Sequence, residues 1–236
     1  MSKKNADQKI LSIDIGGSHI KATILNSEGK LEMEYLKVVT PQPADPANLL
    51  SSIKNLVKGF PGFDKISAGF PGYVANGIIK TAPNLDSQSW VDVNFQKKLE
   101  DLLGKPAKVV NDADMQGLGV VSKVGLEMVI TLGTGFGTAL LKDGELLPHL
   151  ELAHHPLTKN KTYDEYIGEK ALEKIGKTAW NKRMKKVIQV LKTVFNYDHL
   201  YISGGNARRI NFELDKNITI DRNEDGIKGG ARLWSQ

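Results

Sequence analysis

Cysteine is absent from the 236-residue sequence. Its absence excludes a disulfide framework, thiolate zinc and iron–sulfur sites, and a cysteine nucleophile. Long apolar runs are missing too. The longest charge-free stretches, Ile66–Ile79 and Met128–Leu141, are 14 residues each and broken by glycines, short of the roughly 18 apolar residues that cross a bilayer. The start, Met1-Ser2-Lys3-Lys4, is polar and offers no apolar core for a secretory signal. Low-complexity tracts and short-period repeats are lacking, and no helix-turn-helix, zinc-finger or RNA-binding-sheet pattern occurs. The expectation is a soluble, cytoplasmic protein with neither nucleic-acid nor membrane partners.

What is present fits an ordinary globular chain, 40% hydrophobic and 25% charged. Its length allows one large domain or two lobes of about 100–150 residues. Thirty-two Lys and Arg against 27 Asp and Glu leave a net charge of +5, which favours anionic ligands in general. The densest basic run, Lys182-Arg183-Met184-Lys185-Lys186, lies among apolar residues at helical spacing (Val187, Ile188, Leu191, Val194, Phe195) and reads as a solvated helix face.

Ile10–Ile15 reads as a buried strand, closed by Gly16-Gly17-Ser18 and followed by strands at Ile20–Leu25 and Leu31–Val39. Asp45 is an N-cap with Pro46 at the first helical position, ahead of the stripe Leu49, Leu50, Ile53, Leu56 and Val57. A strand at Lys65–Phe70, an Asn76-Gly77 hairpin, a helix near Asn94–Leu103 and a strand at Ala107–Val110 complete the first half. The second half opens with Asn111-Asp112-Ala113-Asp114 and a helix over Met115–Val121. Strands at Met128–Leu132 and Thr138–Leu141 follow, then helices at Tyr163–Lys174 and Thr178–Phe195, and a strand at Leu200–Ser203 ending in Gly204-Gly205. Both halves contain a strand, a glycine-rich turn and a second strand. The expected organisation is therefore an α/β protein of two related lobes around a cleft, residues 1–110 and 111–236, an arrangement that leaves open a return of the C-terminal helix to the first lobe.

The glycine turns carry the chemistry. Gly16-Gly17-Ser18 and Gly133-Thr134-Gly135-Phe136-Gly137 each follow a strand, and the amides of such turns bind phosphate oxygens. A P-loop needs Gly-Lys-Ser/Thr opening a helix, and a dinucleotide fingerprint needs G-x-G-x-x-G opening one; a strand follows both turns here, so neither motif applies. Tight hairpins are the bland alternative. Asp14, at the end of the first strand, is placed to hold Mg²⁺ through water beside phosphates, or else to cap its own turn. His149, His154 and His155 lack the thiolates or helical spacing of a metal cluster.

Together these features resemble the ROK family of sugar kinases and repressors, with the actin/hexokinase-like ATPase fold. Asp14-Ile15-Gly16-Gly17-Ser18 resembles the first phosphate motif, with Ser for the usual Thr, and His19 stands where relatives often carry Lys. Gly69-Phe70-Pro71-Gly72 is similar to the family's G-x-P-G segment, Ala82-Pro83-Asn84-Leu85 to its sugar-contacting segment, and Val110–Asp114 to its catalytic block. Leu132–Gly137 resembles the second phosphate motif, Glu151-Leu152-Ala153-His154 the E-x-G-H segment, and Ile202–Gly205 the late Gly-Gly turn. Two departures stand out. Ala153 replaces a glycine, and the family's cysteine-rich zinc motif is missing. The cysteine-free Tyr163–Gly168 in its place resembles the polyphosphate glucokinase branch.

The resemblance implies Asp112 as general base, taking a proton from the sugar hydroxyl that attacks a phosphoryl group, although Asn111-Asp112 also suits a helix N-cap. It implies Asn84, Asn111, Asp112, Glu151, His154 and Glu165 as sugar contacts, with Asp164 the alternative alignment for Glu165. Asp14, Gly16, Gly17, Ser18, Gly133, Thr134, Gly135, Gly137, Gly204 and Gly205 would hold the phosphate donor. The implied reaction moves a phosphoryl group from polyphosphate or ATP to the 6-hydroxyl of glucose or a related hexose, with Mg²⁺, in a homodimer. The rivals are a sugar-sensing repressor, disfavoured by only 13 residues preceding Asp14, and a non-catalytic sugar-binding or actin-like protein, disfavoured by retention of Asp14 and Asp112.

Overall fold

A computed structural model describes residues 8–221 and 226–236. The chain forms two compact units, Met1–Gly119 with Gly226–Gln236, and Val120–Asp225. The first unit includes nearly all of the helix that follows the last strand of its main sheet.

Unit 1 contains β1 (Ile10–Ile15), β2 (His19–Leu25), β3 (Leu36–Val39), α1 (Pro46–Val57), β4 (Lys65–Phe70), β5 (Val74–Ala75) and β6 (Ile78–Ile79). It continues with α2 (Ser87–Trp90), β7 (Val93–Asn94), α3 (Phe95–Leu103), β8 (Ala107–Asn111) and α4 (Asp112–Val120). Its main sheet has the order β3-β2-β1-β4-β8. β1, β2 and β3 are antiparallel in turn, while β4 and β8 run parallel to β1. Alternation sends Leu11, Ile13, Ile15, Ile66, Ala68 and Phe70 into a core shared with Leu49, Ile53 and Val57 of α1 and Leu99 of α3. Phe70, Trp90 and Phe95 pack with ring centroids 4.8, 5.3 and 5.6 Å apart. Trp90 also donates its Nε1–H to Ala44 C=O at 2.7 Å, so its one polar atom is satisfied.

Local signals set most boundaries. Asp45 accepts from Asn48 N–H (2.9 Å) at the start of α1, and Asn94 accepts from Lys97 N–H (2.9 Å) at the start of α3. The third strand is shorter than expected: Leu36–Val39 forms the ladder with β2, and Leu31 makes only an isolated antiparallel bridge to Leu25. The Thr23 hydroxyl takes the Met33 carbonyl at 2.7 Å, which diverts residues around Met33 from a regular ladder. α4 begins at Asp112, earlier than the expected Met115, because Asn111 caps it.

Unit 2 contains β9 (Leu126–Leu132), β10 (Phe136–Lys142), β11 (Glu145–Leu146), β12 (Pro156–Thr158), β13 (Lys161–Thr162), α5 (Tyr163–Ile167), α6 (Glu169–Phe195), β14 (His199–Ser203) and β15 (Ile218–Ile220). The chain then closes in unit 1 with α7 (Gly229–Arg232). The unit 2 sheet has the order β11-β10-β9-β14-β15. With only its own five strands numbered in chain order, each sheet thus runs third, second, first, fourth, fifth, with the same pattern of antiparallel and parallel pairs. Met128, Ile130, Leu200 and Ile202 face Trp180, Met184, Val187 and Leu191 of α6. Glu127 is fully buried, and its carboxylate accepts from Ser122 N–H (2.8 Å), Ser122 Oγ (2.7 Å), Lys123 N–H (2.8 Å) and Tyr201 Oη (3.1 Å). Four donors satisfy this buried charge and fix the segment that leads into β9.

The expected helix over Tyr163–Lys174 is two helices, since Gly168 is extended (φ −62°, ψ 173°). Within α6 the backbone leaves helical geometry at Gly176 (φ 74°, ψ 162°), the gap expected between the last two helices. The basic run is not simply solvated. Arg183 lies 4.6 Å over the Tyr166 ring and donates to Tyr166 C=O at 2.9 Å, and Lys185 lies 5.0 Å from the Phe212 ring.

Candidate active site

In unit 1, the first glycine turn closes by a Gly16 N–H bond to His19 C=O at 2.9 Å. The buried Thr40 anchors it from outside, donating Oγ1 to Gly16 C=O (2.6 Å) and N–H to Ser18 C=O (3.0 Å). Gly17, Ser18 and His19 are exposed. Among the described residues no acceptor takes the Gly17 or Ser18 N–H, which suits the turn to an incoming oxyanion. Gly17 lies beside Asn84: a Cβ on Gly17 would stand 3.4 Å from the Asn84 Cβ. The first phosphate turn and the segment Ala82–Leu85 are therefore neighbours within this unit.

Asp14 is 19% exposed, with Lys21 Nζ 3.7 Å from its carboxylate. Burial raises the Asp14 pKa above the ordinary carboxylate value, and the Lys21 charge and hydrogen bond oppose that rise. Asp14 pairs in register with Gly69 of β4. Gly69 is required by the next residue of the site, since a Cβ there would stand 3.1 Å from the Asp112 Cα and 3.0 Å from the Met115 Cε. Asp112 thus sits at the first position of α4, directly against the end of β4.

Asn111 does most of the capping. Its Oδ1 accepts from Ala113 N–H (2.8 Å) and Asp114 N–H (3.3 Å), and Asp112 Oδ1 shares the Ala113 N–H at 2.9 Å. The Asn111 amide also donates to Gly72 C=O at 3.0 Å, tying α4 to the Gly69–Gly72 turn. With 7% exposure and both ends of its amide engaged, Asn111 has the contacts of a residue that places Asp112.

In unit 2, the second glycine turn lies between β9 and β10, with Gly133 N–H on Gly135 C=O at 3.2 Å. The Gly204–Gly205 turn lies against it: Asn206 donates N–H to Leu132 C=O (2.9 Å) and Nδ2 to Gly133 C=O (3.2 Å). Asn206 was not singled out by sequence, although it follows the Gly-Gly pair directly. The second turn is also bound to α5. Asp164 Oδ1 accepts from Phe136 N–H at 2.6 Å, and Gly135 makes room for it, since a Cβ there would lie 3.0 Å from Asp164 Oδ1.

Glu151 stands between two histidines, with His149 Nε2 3.5 Å from Oε1 and His154 Nε2 3.8 Å from Oε2. Glu151 Oε1 is buried without a closer hydrogen-bond partner among the described residues, an acceptor of the kind a sugar hydroxyl satisfies. Asp164 belongs to the same neighbourhood. Burial raises its pKa; the Phe136 N–H bond and His154 lower it, while Glu151 and Glu165 push it up further. Glu165 is differently employed. Its Oε2 accepts from Thr162 N–H (2.9 Å), and Thr162 Oγ1 accepts from Glu165 N–H (3.3 Å), a reciprocal cap at the start of α5. Of the two alignments, Asp164 is the one whose carboxylate bonds the glycine turn and feels the charges of Glu151 and His154. Among the described residues no group of three or more His, Asp or Glu could hold a metal, and no helix is long and apolar enough to cross a membrane.

The sequence profile of the ROK family matches residues 10–188. The chain is 34% identical over 229 residues to a polyphosphate glucokinase of Mycobacterium tuberculosis, covering 93% of this chain and 84% of that protein. Its fold is similar to the crystal structure of an inorganic polyphosphate/ATP-glucomannokinase from Arthrobacter sp. strain KM, with TM-score 0.87, 30% identity, and 97% and 99% of the two chains covered. A glucokinase of Streptomyces griseus in complex with glucose and AMPPNP shares the fold at TM-score 0.77 and 19% identity, with 95% and 98% covered.

Proposed function

Because the chain belongs to the ROK family, we propose that it is a sugar kinase of the glucokinase type, moving the terminal phosphoryl group of polyphosphate or ATP to the 6-hydroxyl of glucose or a close hexose relative. The observation that carries this reading is the placement of Asp112 at the head of α4, against Gly69, with Asn111 taking the larger share of the helix cap. A carboxylate so placed takes the hydroxyl proton as the oxygen attacks phosphorus. Phosphoryl transfer leaves little covalent work to the protein, so the remaining residues bind, orient and neutralise charge. Asn84, Glu151, His154 and Asp164 hydrogen-bond sugar hydroxyls, Asp164 standing in the place first given to Glu165. The turns at Gly16–Ser18, Gly133–Gly137 and Gly204–Gly205 cradle donor phosphates with backbone N–H groups.

Mg²⁺ fits the donor set. A hard ion that keeps most of its waters needs one or two carboxylates and the phosphates themselves, and Asp14 supplies one carboxylate beside the first phosphate turn. Bound there through water, the ion would neutralise phosphate charge. The similarity to the polyphosphate enzymes of Mycobacterium and Arthrobacter supports polyphosphate as a donor in addition to ATP. A cytoplasmic homodimer completes the reading.

The decisive experiment is a matrix of ATP, GTP and polyphosphate against glucose, mannose and amino sugars, scored by phosphorylated product. Glucose 6-phosphate from at least one donor is expected. Sugar binding by calorimetry without transfer from any donor would leave a non-catalytic sugar-binding protein.

A further inference from the structure

One face of the unit 1 sheet carries a row of polar side chains. Ser12 of β1 lies opposite Ser67 of β4, which lies opposite Lys108 of β8. Their chain neighbours Leu11, Ile13, Ile66, Ala68, Ala107 and Val109 belong to the core beneath α1 and α3, so alternation places the row on the other face. Each member donates to one carbonyl of the C-terminal segment: Ser12 Oγ to Ile227 (2.7 Å), Ser67 Oγ to Gly230 (2.5 Å) and Lys108 Nζ to Leu233 (2.6 Å). The accepting carbonyls recur every third residue, as the short tight helices from Gly226 to Ser235 present them. Trp234 closes the row, its Nε1–H on Ser67 Oγ at 2.9 Å.

The next row on that same face holds Asp14 and Gly69. The C-terminal segment also holds α4, which carries Asp112. A Cβ on Gly229 would overlap the Met115 carbonyl oxygen and stand 2.8 Å from the Gly119 amide nitrogen, and a Cβ on Gly230 would run into Ser12 Oγ. Arg232 donates to Leu118 C=O at 2.5 Å, near the far end of α4. Directional bonds to three strands and backbone contact through two glycines fix a register, where plain apolar packing would only add buried area.

We propose that the C-terminal segment Gly226–Ser235 is a positioning platform for the two working carboxylates, setting α4 against the sheet so that Asp112 and Asp14 hold their relative places. The inference rests on the kinase reading above. Near-attack geometry is steep in distance, and a displacement of about 1 Å costs on the order of 10²-fold in rate.

Full-length Gly229→Ala and Arg232→Met are compared with wild type in kcat, in KM for sugar and donor, in thermal unfolding, and in hydrogen exchange over residues 107–120. Both variants are expected to lower kcat at least about tenfold with each KM within about threefold, the mark of a loss confined to the transition state. Exchange at the first turn of α4 should quicken, and Arg232→Lys should restore most of the kcat. A lowered Tm with wild-type kcat and wild-type exchange at residues 112–115 would overturn the platform and leave a merely stabilising tail. If Gly229→Ala does not fold, the Ser12→Ala/Ser67→Ala double variant, which removes two donors without adding volume, is held to the same criteria. A wild-type protein inactive with every donor and hexose would remove the kinase reading, and exchange at α4 would then decide the platform alone.

Discussion

Asp112 and Asp14 are two carboxylates of one unit with different environments and different expected responses. Asp112→Asn should keep calorimetric glucose affinity and lower kcat at least about 10²-fold, because an amide cannot accept the hydroxyl proton; near-normal turnover would take Asp112 out of the base role. Asp14 responds through stability as well. Its pKa is raised by burial, so the protonated form is the one the fold favours. The stability it contributes is full below the ordinary value of 3.8 and is lost as pH rises from there through the raised folded value. At neutral pH the ionised group therefore opposes folding, and Asp14→Asn should raise Tm at pH 7 but not near pH 3, while donor turnover falls and glucose affinity holds. A Tm lowered at pH 7, or a collapse of glucose affinity, would make Asp14 a structural residue.

At the scale of elements, adjacent acidic residues on α5 have separate tasks. Asp164 binds the Phe136 N–H and stands near Glu151 and His154, whereas Glu165 closes the helix cap with Thr162. Asp164→Ala is expected to raise the sugar KM at least about tenfold, the order of a lost hydrogen bond to a charged group. Glu165→Gln should leave that KM within about twofold and cost no more than about 1 kcal/mol of stability, as a weakened cap does. Equal KM effects from the two would show that the cap, not Asp164, governs the sugar segment. From sequence, Glu165 is the implied sugar contact and Asp164 the alternative alignment, because choosing between neighbouring carboxylates needs the direction of each side chain. On a helix that direction turns by about 100° per residue. The Asn111 cap, by contrast, was legible as a cap, and only its division of labour with Asp112 was not.

For the whole molecule, the balance of +5 bears on the donor. A chain polyanion meets more positive charges than a triphosphate does, so kcat/KM with polyphosphate should fall more steeply with salt than kcat/KM with ATP at constant Mg²⁺. Equal slopes would argue against an extended basic track. Arg183 and Lys186 over Tyr166 and Lys185 over Phe212 are partly committed to the fold, which leaves the exposed Lys182 as the freer member of that run for such a track. The family, both glycine turns and the strand–turn–strand theme could all be read from the chain, because they depend on local backbone chemistry and on motifs in order. The shared strand order of the two sheets, the register in which Gly226–Gln236 returns to unit 1 and the row Ser12–Ser67–Lys108 could not. Each depends on pairing residues far apart in sequence: Ser67 and Gly230 meet only once β4 has its neighbours and the C-terminus has come back across them. Local propensity determines which segments become strands, turns and helices. Cross-strand register and close backbone packing decide which of their polar groups meet.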